Sequence, residues 1–249
     1  MLADADITEN AALGGRLMLR QPRRGHRFGH DTILLAAAVD ATAIETAADF
    51  GAGVGAAGLA LARRVPGLKV SLIEIDPMLA DLARENAARN ELADRVSVVV
   101  IDIAASGQAF APESVGHVLM NPPFNDPARQ NVSPDAVRRL AHAAASGTLI
   151  KWIARASALL VPSGTVTLIW RADGLADVLD SLAGFGGVAI RPLHPKPGAA
   201  AIRIIVRAVK GSAAPLSLLP GLTLNGADGR PSAEAEAILR GGAPLAMTA

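Results

Sequence analysis

Apolar positions along the chain fall into two alternating kinds of run, short stretches dense in β-branched residues and longer Ala/Leu-rich stretches broken by polar residues at helical spacing. That alternation predicts a parallel sheet covered by helices. Asp31-Thr-Ile-Leu-Leu-Ala-Ala-Ala-Val39 predicts a helix with Asp31 as its N-cap. Ala47 to Phe50 reads as a short buried strand entering Gly51-Ala-Gly-Val-Gly55, with a helix following to about Val65. Val70 to Ile75 is a second strand, and Asp76-Pro77 opens a helix to about Asn90, the Asp as cap and the Pro at the first helical position. Val96 to Ile101 is a third strand, and Val118 to Met120 a fourth that ends in Asn121-Pro-Pro-Phe124. A polar loop leads to helical stretches over Asp135 to Ala145 and Leu149 to Leu160, and Val166 to Trp170 is the fifth strand. After a further helix, Gly187 to Leu193 and Ala201 to Val209 are joined by His194-Pro-Lys-Pro-Gly198. That connection is too short for a parallel crossover, so the pair is predicted to be an antiparallel hairpin. Leu216 to Leu224 would add an edge ribbon and Ser232 to Arg240 a terminal helix. With no internal repeat or long linker, the expectation is one domain over 1–249: an N-terminal substrate or cap segment 1–45, a cofactor-binding core 46–210 and a C-terminal edge extension 211–249.

Composition narrows the class. Of 249 residues, 51% are hydrophobic and 19% charged, which excludes a disordered chain and is enough for a sizeable core. The absence of cysteine excludes disulfides, thiolate nucleophiles, Cys-ligated zinc and iron–sulfur clusters, and the cytoplasm is the expected compartment. MLADADITEN is acidic and lacks the apolar stretch of a signal peptide, and the early apolar run Ile33 to Val39 is bracketed by Asp31 and Asp40, so no targeting or membrane-spanning segment is expected. The net charge of +1 gives the whole molecule no pull on a polyanion, but the distribution is uneven. Between Ala11 and His30 there is no acid and there are five arginines, Arg16, Arg20, Arg23, Arg24 and Arg27; from Ser181 to Ala227 there is again none, with Arg191, Lys196, Arg203, Arg207 and Lys210. These segments either face a polyanion or solvate a surface.

In open α/β sheets ligands bind beyond the carboxyl ends of the strands, where the strand order reverses. Four consecutive strands here end in informative residues: Asp49-Phe-Gly-Ala-Gly-Val-Gly55, Glu74, Asp102 and Asn121. Gly51 and Gly53 permit a tight turn with close backbone approach to a ligand, and the pattern is open to a dinucleotide fingerprint through Ala56 or to G-x-G-x-G through Gly55. Glu74 can accept both hydroxyls of a ribose, a role shared by nicotinamide and S-adenosylmethionine sites; Asp76 is the rival, but Pro77 assigns it to the helix cap. Asp102 can accept from an adenine amino group or cap the segment after it. The Asn121 side-chain carbonyl and the Pro122 main-chain carbonyl, stiffened by two prolines, form a pair of acceptors suited to the two hydrogens of a planar NH₂ group. Phe124 can lie on the face of the ring bearing that amine, a contact worth about 1–3 kcal/mol for a base. The histidines His26, His30 and His142 have no partner at metal or triad spacing, so none is read as catalytic and no metal is expected.

Together these residues resemble the class I S-adenosylmethionine-dependent methyltransferases, and within them the amino-methylating branch marked by N-P-P-[FY], over roughly residues 25–210. The segment from Arg16 through Arg-Phe-Gly-His-Asp31 to Ala38 is similar to the N-terminal signature of the bacterial tRNA adenine methyltransferases that modify the base beside the anticodon of a valine tRNA, and Asp228 to Gly241 resembles the end of that family. The resemblance implies a seven-stranded, mostly parallel Rossmann-like sheet with a last antiparallel strand and helices on both faces. It implies S-adenosyl-L-methionine as cofactor, with Asp49, Gly51 and Gly53 at its methionine part, Glu74 at the ribose, Asp102 at the adenine and Asn121 also lining the pocket. Asn121, Pro122 and Phe124 would hold the acceptor amine, and Arg23, Arg24, Arg27 and Phe28 would bind substrate. The implied partner is RNA, specifically tRNA, with no membrane and no metal, and the oligomeric state is left unset. Ribosomal RNA guanine and protein glutamine methyltransferases carry closely similar motifs, which keeps other amines, a small-molecule hydroxyl and a non-catalytic RNA-binding role as alternatives. The chain departs from the pattern of an anticodon reader in having no tyrosine and few aromatic residues.

Overall fold

The computed structural model describes residues 6–24, 27–42, 45–105, 110–123 and 134–248, with the backbone alone over 134–146. The strands are β1 (Ile7–Ala12), β2 (Leu17–Pro22), β3 (Thr46–Phe50), β4 (Lys69–Glu74), β5 (Val96–Val100), β6 (Val115–Met120), β7 (Leu160–Arg171), β8 (Phe185–His194), β9 (Arg203–Lys210), β10 (Ser217–Leu218) and β11 (Leu222–Thr223). The helices are α1 (His30–Ala37), α2 (Ala56–Arg64), α3 (Pro77–Arg89), α4 (Pro134–Leu159), α5 (Leu175–Ser181) and α6 (Ala233–Leu239). None of the described helices is long and apolar enough to cross a membrane.

The sheet runs β8-β9-β7-β6-β3-β4-β5. The pairs among β3 to β7 are parallel, and β9, the last long strand, is antiparallel to both β7 and β8. The seven long strands and the reversal are those the hydrophobic pattern predicts. The expected edge ribbon is two short strands, β10 and β11, each parallel to β8. The strand order reverses between β3 and β6, so their carboxyl ends open onto one crevice. Apolar side chains bury on both faces. Leu72, Leu119 and Ile205 of the sheet pack with Leu34 of α1 and Leu59 and Leu61 of α2 on one side, and Phe50, Ile73, Met120 and Val206 pack with Trp152 of α4 and Val178 of α5 on the other.

Three expectations are corrected. Asp31 does not cap α1: Gly29, with extended backbone, is the N-cap, and the Asp31 carboxylate instead accepts from Arg203 Nε at 2.9 Å. A carboxylate in the first helical turn still favours the helix through its dipole. The two helical stretches after residue 134 are one helix, because nothing between Ala145 and Leu149 breaks it; Ser146 and Gly147 weaken helix without forbidding it. The N-terminal segment carries an unpredicted hairpin, β1 with β2, paired from Ile7 with Pro22 to Ala12 with Leu17. Leu17, Leu19 and Gln21 alternate inward on β2, 0%, 0% and 2% exposed, but β1 lacks the matching period.

Two asparagines one helical turn apart, Asn86 on α3 and Asn90 at its C-cap, dock that hairpin. Asn90 exchanges hydrogen bonds with the Met18 main chain (2.9 and 2.8 Å), and Asn86 does the same with Arg20 (2.8 and 2.9 Å). They stand in for a neighbouring strand along the edge of β2, satisfying main-chain groups that would otherwise be buried unpaired. The Asn86 amide also donates to Val54 O at 3.0 Å, joining the hairpin to the glycine loop.

Candidate active site

The crevice begins where β3 ends. Gly51, Gly53 and Gly55 all take positive φ (67°, 56° and 87°), a left-handed path open to glycine at no steric cost. A Cβ on Gly51 would stand 2.5 Å from the Trp152 ring, whereas one on Gly53 would meet nothing within 4 Å. Gly51 is therefore fixed by packing. Gly53 is fixed by its backbone alone, and its open side belongs to the cleft.

Asp49, near the end of β3 just before this loop, is 2% exposed, and its Oδ2 accepts from Gly58 N at 2.8 Å. Gly58 is in the first turn of α2, whose N-cap Gly55 has no side chain to give, so Asp49 supplies the missing cap from the neighbouring strand. Burial pushes its carboxyl up to about 7, with the charge of Glu74 adding to the rise and the Gly58 hydrogen bond opposing it. The folded protein thus holds a proton on Asp49 that the unfolded chain releases near the ordinary value of 3.8. Since the native state binds more protons between these values, this group's contribution to stability falls as pH rises from about 4 to about 7 and stays lost above that. Asp49→Asn, which can still accept from Gly58, is expected to melt above the wild type at pH 8, with the gap closing by pH 4; thermal melts across that range check it.

Glu74, at the tip of β4, is 6% exposed. Its Oε2 accepts from Gly53 N at 2.7 Å, and its Oε1 accepts from Ile75 N and Asp76 N, each at 2.9 Å. One carboxylate thus pins the glycine loop to the next strand tip, and of about four lone-pair positions these bonds leave one. Asp76 is the α3 cap, accepting from Met78 N at 2.8 Å. Ile75 between them is 60% exposed, an apolar surface beside the loop that the strand pattern did not single out. Asp102 is exposed beyond β5 and its Oδ1 accepts from Ala104 N at 2.8 Å. It borders a separate small cavity with Ile101, Ile103, Phe110 and Arg155.

Asn121 follows β6 directly, with Pro122 buried behind it. It shares one cleft with Asp49, Gly51, Gly53 and the side chains of Phe28, Thr32 and Leu79. Its Oδ1 is buried and has no hydrogen-bond partner among the described residues. An amide oxygen withdrawn from water without a partner costs about 1–3 kcal/mol. Phe124, the expected stacking ring, lies outside the described residues, as does His26. Thr32 and Leu79 were missed because each sits on a helix whose pattern reads as plain amphipathic packing. Among the described residues, no group of three or more acidic or histidine side chains could hold a metal ion.

The two basic segments part company. In the second, Arg191 donates to Ala246 O at 2.7 Å and Pro220 O at 2.9 Å, Arg203 pairs with Asp31, and Lys210 donates to Leu160 O at 2.7 Å and Glu113 at 3.2 Å. These three cations tie parts of the chain together. In the first, Arg16 donates to Arg240 O at 3.2 Å, Arg20 pairs with Glu85 at 2.8 Å and Arg27 donates to Asn10 Oδ1 at 2.9 Å, and Arg23, Arg24 and Arg27 are exposed next to the cleft residue Phe28 in sequence.

A parallel sheet with a terminal antiparallel reversal, a glycine loop pinned by the next strand's carboxylate, and an amide oxygen without a partner among the described residues at the fourth strand tip define a Rossmann-like fold with a cleft at its switch point. The chain belongs to the methyltransferase small domain family, which residues 26–180 match. It is 35% identical over 158 residues to a tRNA1(Val) (adenine(37)-N6)-methyltransferase of Porphyromonas gingivalis, the match covering 61% of each chain. It is 29% identical over 183 residues to a protein of the same name from Bacteroides thetaiotaomicron, covering 72% of this chain and 75% of that one. Among solved structures, a predicted O-methyltransferase from Agrobacterium tumefaciens superposes with a TM-score of 0.75 at 29% identity, covering 88% of this chain and all of that one.

Proposed function

We propose that the protein transfers a methyl group from S-adenosyl-L-methionine to the exocyclic N6 amine of an adenine in tRNA. The observation that carries the reading is the Asn121 Oδ1, buried and without a partner among the described residues, in the cleft it shares with the glycine loop. An acceptor that is buried without a bond is suited to a donor that arrives with the substrate. The residues also fit the cofactor. Gly53 leaves its side of the loop open, Glu74 keeps one lone pair for a ribose hydroxyl, Ile75 offers an apolar platform, and Asp49 is a carboxyl whose ionisation a nearby cation would restore. Asp102 serves as the adenine acceptor through the oxygen not engaged by Ala104.

When bound, the cofactor supplies an activated methyl group on a sulfonium. The protein's part is then placement, which can lower the barrier by several kcal/mol without a covalent intermediate. Asn121 Oδ1 and the Pro122 carbonyl accept the two amine hydrogens, turn the nitrogen lone pair outward and stabilise the positive charge that develops on nitrogen. The proton then leaves to solvent, and no strong base is needed. Phe124 stacks on the extruded base, whose exposure costs least in a single-stranded loop. The names of the relatives support adenine in tRNA over the other amines with similar motifs. The name of the Agrobacterium protein keeps a hydroxyl acceptor as the rival. Incubation with methyl-labelled cofactor separates them: label should enter bulk tRNA and neither protein nor small-molecule alcohols.

Arg23, Arg24, Arg27 and Phe28 form the RNA-facing border of the cleft. Replacing Arg23 and Arg24 together with alanine is expected to weaken tRNA binding and to flatten log affinity against log salt by about 0.7 for each phosphate that is no longer neutralised. Binding titrations at several salt concentrations read this directly, and an unchanged slope returns both arginines to surface solvation.

A further inference from the structure

Beside the cleft, on the other side of Phe28, lies a larger cavity of about 660 Å³ between the β1–β2 hairpin, the segment entering α1 and the end of α6. Phe28 lines both cavities. The sequence gives no sign of this space, because it is made by bringing the two ends of the chain together. Arg16 donates to Arg240 O at 3.2 Å, and a Cβ on Gly14 would stand 2.8 Å from that same oxygen.

The lining has a definite chemistry. Arg27 and Arg240 are cations, His30 lies beside them, and no acidic residue lines the cavity among the described residues. Glu236, which pairs with Arg240 at 3.3 Å, lies outside it. Leu13, Ile33, Leu239 and the Phe28 ring give an apolar floor. The wall is built rather than incidental. Asn10 Oδ1 accepts from Thr8 Oγ1 (3.1 Å), Gln21 Nε2 (2.9 Å) and Arg27 Nη2 (2.9 Å), and the buried Gln21 accepts in turn from Phe28 N at 3.1 Å. One amide pair therefore fixes both the cation and the main chain that carries Phe28. An apolar floor with a rim of cations suits a nucleotide, base below and phosphate above, and the volume lies in the range of small-ligand sites.

We propose that this cavity receives the nucleotide next to the methylated adenosine in the RNA strand, its phosphate against Arg27 and Arg240 and its base on the floor beside Phe28. The inference rests on the RNA-methylating reading above. Phe28 then separates two neighbouring nucleotides, one presented to Asn121 and one held aside, so the cavity selects an RNA strand over a free nucleoside or a protein side chain.

Ala11 is exposed on β1 and lines the cavity, so it can be changed without touching the core. Ala11→Glu places a carboxylate there. The KM for transcribed valine tRNA is expected to rise by at least about tenfold, through repulsion of phosphate, with the affinity for S-adenosylhomocysteine unchanged. Ala11→Lys, of similar bulk and opposite charge, should leave KM within about threefold of the wild type, and Arg240→Gln should raise it. Unaltered adenosylhomocysteine binding and melting temperature certify the fold of each variant. If the wild type methylates tRNA and neither Ala11→Glu nor Arg240→Gln moves KM, the cavity assignment is overturned alone. If the wild type binds adenosylhomocysteine but methylates no RNA, the RNA reading is overturned and this assignment falls with it.

Discussion

Asn121→Ala is expected to lower methyl transfer by at least about a hundredfold, the scale set by removing a single group that stabilises transition-state charge, while leaving adenosylhomocysteine affinity nearly unchanged. The split follows from what the side chain touches. Its Oδ1 has no partner among the described residues, so truncation takes no bond of that oxygen from the fold or the glycine loop there. It also removes a buried, unsatisfied oxygen, so the melting temperature should stay level or rise. A structural Asn121 would give the opposite pattern, with a lowered melting temperature and activity falling only as far as the folded fraction. Asn121→Asp is a sharper variant still. It keeps the geometry of the oxygen but places a charge in the cleft about which Asp49 and Glu74 already stand, so cofactor binding should take on a dependence on pH that the wild type lacks at this position.

Glu74→Ala is expected to cost at least about tenfold in cofactor affinity, since hydrogen bonds to a charged group are worth about 1.5–3 kcal/mol each. Unlike the change at Asn121, this one should also destabilise the apo protein. Gly53 N, Ile75 N and Asp76 N lose their acceptor together, and the loop loses its tie to β4 at a point where Gly53 has no side-chain packing to hold it. The Asp49 carboxyl offers a second readout. The Glu74 charge helps to raise it, so in Glu74→Ala it should titrate lower and the pH dependence of stability attributed to Asp49 should move to lower pH. Calorimetric titration with adenosylhomocysteine and melting curves from pH 4 to 8 test both effects. A Glu74→Ala protein with full affinity and unchanged melting would leave the carboxylate as no more than a solvated strand end.

What could be read from the residues, and what could not, divides by distance along the chain. The seven long strands were legible because each is a compact apolar run bounded by Gly, Pro or Asp, and the reversal at β8 and β9 was legible because His194 to Gly198 is too short to cross over. The Asp76 cap was legible because Pro77 follows it. Asp31 misled because an Asp before an apolar run reads as a cap, and only the fold brings Arg203, 172 residues away, to claim its carboxylate. The hairpin was hidden because β2 finds its second partner in two asparagine side chains, one on α3 and one at its C-cap, which look like ordinary polar positions of an amphipathic helix. Glu74 was legible as a site residue, but its tie to Gly53 was not, since that bond depends on the path of a loop 21 residues away. The same holds for the bonds made by Arg191, Arg203 and Lys210, which tie parts of the chain together.

The central claim is that the acceptor is an exocyclic adenine amine presented to Asn121. Digestion of methyl-labelled tRNA to nucleosides, followed by mass spectrometry, tests it most directly. The account predicts that the label resides in N6-methyladenosine in the wild-type reaction and is absent with Asn121→Ala. Label in a 2′-O-methylated nucleoside or in N2-methylguanosine, or N6-methyladenosine formed at the wild-type rate by Asn121→Ala, would contradict it.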